Sequence, residues 1–114
     1  MFLADHLLDL LLQWLDAPII KQAAGEVARE CRAALWHHVH KRIHGMSLAQ
    51  ARGYIRAVAP SFVGNEVDVV LSRRRASGHI RPQVVALAIE EVIDLLSDDI
   101  IYSAAALDTA AIAA

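Results

Sequence analysis

The stretch VALAIEEVIDLLSDDI (residues 85–100) has apolar side chains at intervals of three and four residues. This spacing places them on one face of an α-helix. The predicted buried face consists of Val85, Ala88, Ile89, Val92, Ile93, Leu96 and Ile100, and the acidic residues Glu90, Glu91, Asp94 and Asp98 lie on or near the other side. The stretch therefore predicts an amphipathic helix, which we expect to begin at Pro82 and to pack against other helices.

The segments that precede this stretch predict further helices. The first runs from about Leu3 to Asp16 and is apolar on all sides except for one narrow stripe, formed by Asp5, Asp9, Gln13 and Asp16. Pro18 is expected to start a second helix, because the residue before a proline avoids helical geometry and proline tolerates a first turn. Gly45 follows His44 and is expected to end that helix.

A third helix is expected to begin after Ser47, because Ser47 and Gln50 have the spacing of a capping box. Pro60 removes a backbone donor within this helix, which predicts that the helix is kinked or broken near Pro60. The connections at residues 17, 45–47 and 76–81 are short. The sequence therefore predicts an all-α fold with about four helices in a mostly antiparallel bundle.

The length and composition are those of one folded domain. The chain has 114 residues, of which 56% are hydrophobic and 5% aromatic, so we expect a single helical-bundle domain over residues 1–114. Residues 103–114 are rich in alanine and are expected to extend the last helix, to form a short fifth helix, or to fray. The start has no basic leader and no uncharged run reaches ten residues, so we expect a cytoplasmic protein without a membrane span.

Cys31 is the single cysteine, so one copy of the chain cannot form an internal disulfide or a two-cysteine zinc motif. It lies on the apolar side of the second predicted helix, where a thiol behaves as a small hydrophobic group. His38 is expected to lie at the edge of the same face and to be partly buried. No serine lies in a Gly-x-Ser-x-Gly sequence and no glycine-rich phosphate loop occurs, so no enzyme activity is predicted.

Four of the six histidines lie in the stretch WHHVHKRIH (residues 36–44). A helical wheel places His37, His40 and His44 on one side, together with Glu30. Neighbouring pairs have spacings that allow them to share a metal ion, but His37 and His44 are about 10 Å apart along the helix axis and cannot both bind one ion. Two interpretations remain: a solvated face that is rich in histidine, or a metal-binding or pH-responsive site for zinc or another divalent transition metal that uses His37, His40 and His44. A metal site would need a further ligand beside a histidine pair, either Glu30, an acid of the last helix such as Glu90 or Asp94, or the same face of a second copy.

Charge is distributed unevenly along the chain. Residues 41–81 contain eight Arg or Lys and two acids, whereas residues 82–114 contain six acids and no base. The basic segment is expected to pair with the acidic helix, and binding of nucleic acid is the lower-ranked alternative. The arginines that would contact nucleic acid are Arg52, Arg56, Arg73, Arg74 and Arg75.

The first helix has more apolar surface than one neighbouring helix can cover. It is expected to be either central in the bundle or shared with a second copy of the chain. We therefore predict a non-catalytic interaction or scaffold module without a cofactor, which binds itself as a homodimer or higher oligomer, or binds another helical protein. The interface is expected to include Leu3, Leu7, Leu11 and Trp14.

Overall fold

The chain folds as an all-α bundle, as its periodicity predicts. The computed structural model describes the backbone of residues 2–113 and the side chains of residues 6–8, 10, 11 and 14–107. Three α-helices, α1 (Phe2–Ile43), α2 (Leu48–Arg74) and α3 (Arg81–Ala113), and a 3-10 helix (Gly78–Ile80) account for nearly all of this backbone, and no strand occurs in it. The alanine-rich tail thus follows the first of the three predicted alternatives, because α3 continues to Ala113.

The predicted boundary between the first two helices is wrong, because α1 passes through Pro18 without interruption. Pro18 has no N–H to donate to the carbonyl of Trp14, and the loss of this hydrogen bond normally destabilises a helix interior. Both residues are exposed, so water can hydrogen-bond to the free carbonyl. The two predicted helices therefore form one helix of 42 residues.

Pro60 also lies inside a continuous helix, so the predicted break in the third helix is absent. The residue is exposed, which again leaves the unpaired carbonyl open to water. The start of α2 is as predicted: Ser47 Oγ accepts a hydrogen bond from the Gln50 backbone N–H, and the Gln50 side chain accepts one from the Ser47 N–H. Gly45, with φ 89°, lies in the turn that follows α1.

The three helices run up, down and up. Arg73 contacts Glu26 and Cys31 contacts Phe62, so α1 and α2 are antiparallel. Asp68 contacts Arg81 and Arg52 contacts Asp94, so α2 and α3 are antiparallel too. The bundle is a rod, with principal extents of 70 × 27 × 22 Å.

Apolar residues four positions apart form the core of each helix. In α1 these buried residues are Ala23, Val27, Cys31, Leu35, Val39 and Ile43; in α2 they are Ala51, Ile55, Ala59, Val63, Val67 and Leu71; in α3 they are Val84, Ala88, Val92 and Leu96. We call these three series the α1, α2 and α3 seams. They meet along the axis of the rod, and each helix of the bundle contacts the other two.

The helices are not the same length, and two segments extend beyond the three-helix part of the rod. At one end the α2–α3 connection meets α1 at Asp16, because His79 Nε2 lies 2.8 Å from Asp16 Oδ2. Residues 2–15 therefore lie beyond that connection. At the other end Arg52, in the second turn of α2, contacts Ser97 and Asp94, so α2 begins roughly level with Ile100 and residues 101–113 of α3 continue past it.

Candidate interaction surfaces

The first candidate surface is the start of α1, residues 2–19, which we call the N-terminal arm. The α1 seam continues into it without a polar residue, as Leu7, Leu11, Leu15 and Ile19. These four side chains are 58%, 58%, 63% and 42% exposed, whereas the members of the same seam from Ala23 onward are buried. The seam is thus continuous in sequence, but only its second part is covered within one copy of the chain.

Other apolar side chains widen this surface. Trp14 is 83% exposed, and Leu8 and Leu10 are also open to solvent. Of the four predicted interface residues, Leu7, Leu11 and Trp14 lie on the arm and are exposed, and the side chain of Leu3 lies outside the described residues. A contiguous apolar surface of this kind is unusual on a protein that remains monomeric. Of the two predicted positions for this helix, a central place in the bundle is therefore excluded for the described part of the arm.

A second apolar surface lies at the opposite end of the rod. There the end of α1 and the extended part of α3 form a groove with a volume of about 420 Å³. Its apolar lining includes Trp36, Ile43, Met46, Ile100, Ala104 and Leu107. We call this the C-terminal groove. Sequence reasoning missed it, because it depends on α3 extending beyond the start of α2.

The arginines of α2 mostly contact carboxylates. Arg56 forms a bidentate ion pair with Glu90, and Arg52 contacts Asp94 and donates to Ser97 Oγ at 2.7 Å. The pairing of the basic segment with the acidic last helix is therefore present at both positions. The guanidinium of Arg56 holds the pKa of the Glu90 carboxyl below its ordinary value.

The arginines at the end of α2 pair with α1 instead of α3. Arg73 Nη2 lies 2.9 Å from Glu26 Oε1 and 3.0 Å from Glu30 Oε1, and Arg74 also contacts Glu26. Arg75 is exposed and has a left-handed backbone conformation that ends α2. Four of the five arginines predicted to contact nucleic acid thus already donate to groups of the same chain, and nucleic-acid binding remains a prediction that these contacts do not favour.

Besides Glu26, the carboxylates of Glu30 and Glu66 lie near Arg73. The hydrogen bond from Arg73 lowers the pKa of Glu30. The nearby Glu30 carboxylate and burial together raise the pKa of Glu66. The charged form of Glu66 is therefore disfavoured in the folded state.

The histidine stretch lies on the last turns of α1, beside the C-terminal groove. His40 Nδ1 is 3.1 Å from the carbonyl oxygens of both Trp36 and His37, so this nitrogen donates to the backbone. The His37 and His40 rings are 6.0 Å apart. His38 is exposed and packs against Phe62, whereas His40 is half-buried, so the predicted partial burial of His38 is wrong. The helical wheel assumes that one fixed side of the helix is buried along its whole length. The α1 seam repeats every four residues, so the buried side rotates steadily around the helix and differs from the assumed one near His38 and His40.

The proposed metal ligands are not gathered at one point. Glu30 is engaged by Arg73, and no group of three His, Cys, Asp or Glu side chains in the described part of the chain is arranged to hold a metal ion. The metal hypothesis for His37, His40, His44 and Glu30 thus remains a prediction from sequence. Cys31 is buried, and desolvation raises the pKa of its thiol to about 11, which is the behaviour of a structural cysteine.

Comparisons of the chain with protein-family models, with curated proteins and with solved structures find no match. Among the helices as described, none has the length and apolar character needed to cross a membrane.

Proposed function

We propose that the protein is a non-catalytic helical interaction module that associates with further copies of itself through the N-terminal arm. The observation that carries this proposal is the continuation of the buried α1 seam into Leu7, Leu11, Leu15 and Ile19, which are exposed in a single copy. Burying apolar surface is the dominant favourable contribution to most protein association, at about 25 cal/mol per Å². A second copy is the simplest occupant, because the seams of this chain already pack against apolar residues spaced by four.

Sedimentation equilibrium of the full chain tests this function. The average mass is expected to rise above the protomer mass of 12.5 kDa as the concentration increases. The double variant Leu11→Gln/Leu15→Gln should remain monomeric over the same range, because glutamine preserves the helix and removes apolar surface. Val69→Gln is the matched control, since Val69 is 49% exposed on α2 away from both ends of the rod. A wild-type chain that stays monomeric throughout would refute the proposal.

A further inference from the structure

The two ends of the rod expose different surfaces. At one end the N-terminal arm is a single helix, with no described contact from α2 or α3 before Asp16. At the other end the last turns of α1 and residues 100–107 of α3 form the C-terminal groove, which no residue of α2 lines. The described part of the arm before Asp16 is therefore a helix without neighbours in its own copy, and the groove is a surface of α1 and α3 on which one further helix can pack.

The apolar patterns of the two ends also match. The α1 seam continues through the arm, and the α3 seam continues beyond Leu96 as Ile100 and Ala104, which line the C-terminal groove. Residues 2–15 and residues 101–113 are each about 20 Å long at about 1.5 Å per residue. The lining of the groove runs from Ile100 to Leu107 along α3, about 10 Å at this rise, so the groove can receive about two turns of the arm.

The charges of the two ends are opposite. Residues 1–20 contain three aspartates and no Lys or Arg, whereas residues 36–46 contain Lys41, Arg42 and four histidines and no acid. Residues 100–107 of α3 are uncharged. Pairing of two arms would bring like charges together, and a single helix against a single helix would leave much of each arm exposed.

We infer that copies of the chain associate head to tail, with the N-terminal arm of one copy lying in the C-terminal groove of the next, against α1 and α3. This inference rests on the proposed self-association and adds the surface that receives the arm. Such a contact joins different surfaces of the two copies, so it leaves a free arm and a free groove in every pair. Association therefore continues beyond a dimer, to rings or open chains.

Two variants of the full chain test this arrangement. The arm variant is Leu11→Gln/Leu15→Gln, and the groove variant is Met46→Gln/Leu107→Gln, which changes side chains that are 39% and 64% exposed and so leaves the bundle core intact. Each variant alone should be monomeric at concentrations where the wild type exceeds twice the protomer mass. Each lost apolar side chain is expected to weaken association by about tenfold.

Mixing the two variants distinguishes the possible outcomes. An equimolar mixture should form a heterodimer and stop there, because it contains one intact arm and one intact groove per pair. If the groove variant alone associates as the wild type does, arm–arm pairing is the contact, so the head-to-tail inference fails and the proposed function stands. A mixture that remains monomeric also overturns the inference, whereas a monomeric wild type overturns the proposed function itself.

Discussion

Leu11 and Leu35 belong to the same seam of α1 but have opposite surroundings in one copy of the chain. Leu35 is fully buried, whereas Leu11 is 58% exposed. Truncating each to alanine therefore separates the contribution of the seam to folding from its contribution to association. Neither substitution should weaken the helix itself, because alanine is a strong helix former.

The structure gives different magnitudes for the two variants. Leu35→Ala removes buried methyl groups and leaves a cavity, so it should lower the free energy of unfolding by about 3 kcal/mol, roughly a hundredfold in the folded-to-unfolded ratio. Leu11→Ala removes a side chain that is mostly in water, so it should change the free energy of unfolding of the monomer by less than about 0.5 kcal/mol. Its main effect should be a weaker association between copies.

Urea unfolding followed by circular dichroism measures both effects. At a concentration where the chain is monomeric, only Leu35→Ala should shift the midpoint appreciably. At higher concentration the wild-type midpoint should rise, because association stabilises the folded state, and Leu11→Ala should reduce that rise. Equal losses for the two variants in the monomer would refute the reasoning, since they would mean that the arm is packed within its own copy.

Three further predictions concern the bundle itself. Ser47→Ala removes the capping box of α2 and should cost about 1 kcal/mol of stability in urea unfolding, whereas Ser61→Ala, at an exposed position within the helix, should change it by less than about 0.5 kcal/mol. Glu66 has a raised pKa in the folded state, so its charged form is disfavoured there and that cost is relieved as the pH falls through this pKa. Glu66→Gln should therefore stabilise the protein at neutral pH, by less than about 1 kcal/mol, and the gain should disappear below the ordinary glutamate pKa of 4.5; a gain that persists at pH 3 would exclude this cause. Cys31 should react slowly with a thiol reagent at pH 8 in the folded protein and rapidly in urea, and equal rates would contradict its burial.

The fold class was readable from sequence because apolar residues recur at helical spacing in every segment. The capping box at Ser47 and the end of α1 before Gly45 were also predictable, because each depends on the identity of residues that are close in sequence. The boundary at Pro18 was not, because the cost of a proline in a helix depends on whether the free carbonyl reaches water. That information lies in the surroundings of the helix and not in its sequence.

The candidate surfaces were predictable only in part. The arm was identified from its excess of leucine, and the series of apolar residues at every fourth position from Leu7 to Ile43 is a signal that could also have indicated its continuity with the core. The C-terminal groove had no local signal, because it results from the relative lengths and positions of α1, α2 and α3. The partners of Arg73 and Arg74 were also beyond the sequence, since opposite charge indicates that an arginine will pair but not which helix supplies the acid.

The uninterrupted course of α1 through Pro18 links folding to assembly. A solitary helix of fewer than about 12–15 residues is only marginally stable in water, and residues 2–15, the part of the arm beyond the α2–α3 connection, lie at this limit. Pro18 removes one backbone hydrogen bond where the arm joins the bundle. In the proposed assembly, ordering of the arm and its burial by another copy are two parts of one equilibrium. On that proposal, a change that lowers helix propensity within the arm should weaken assembly even where no contact is removed.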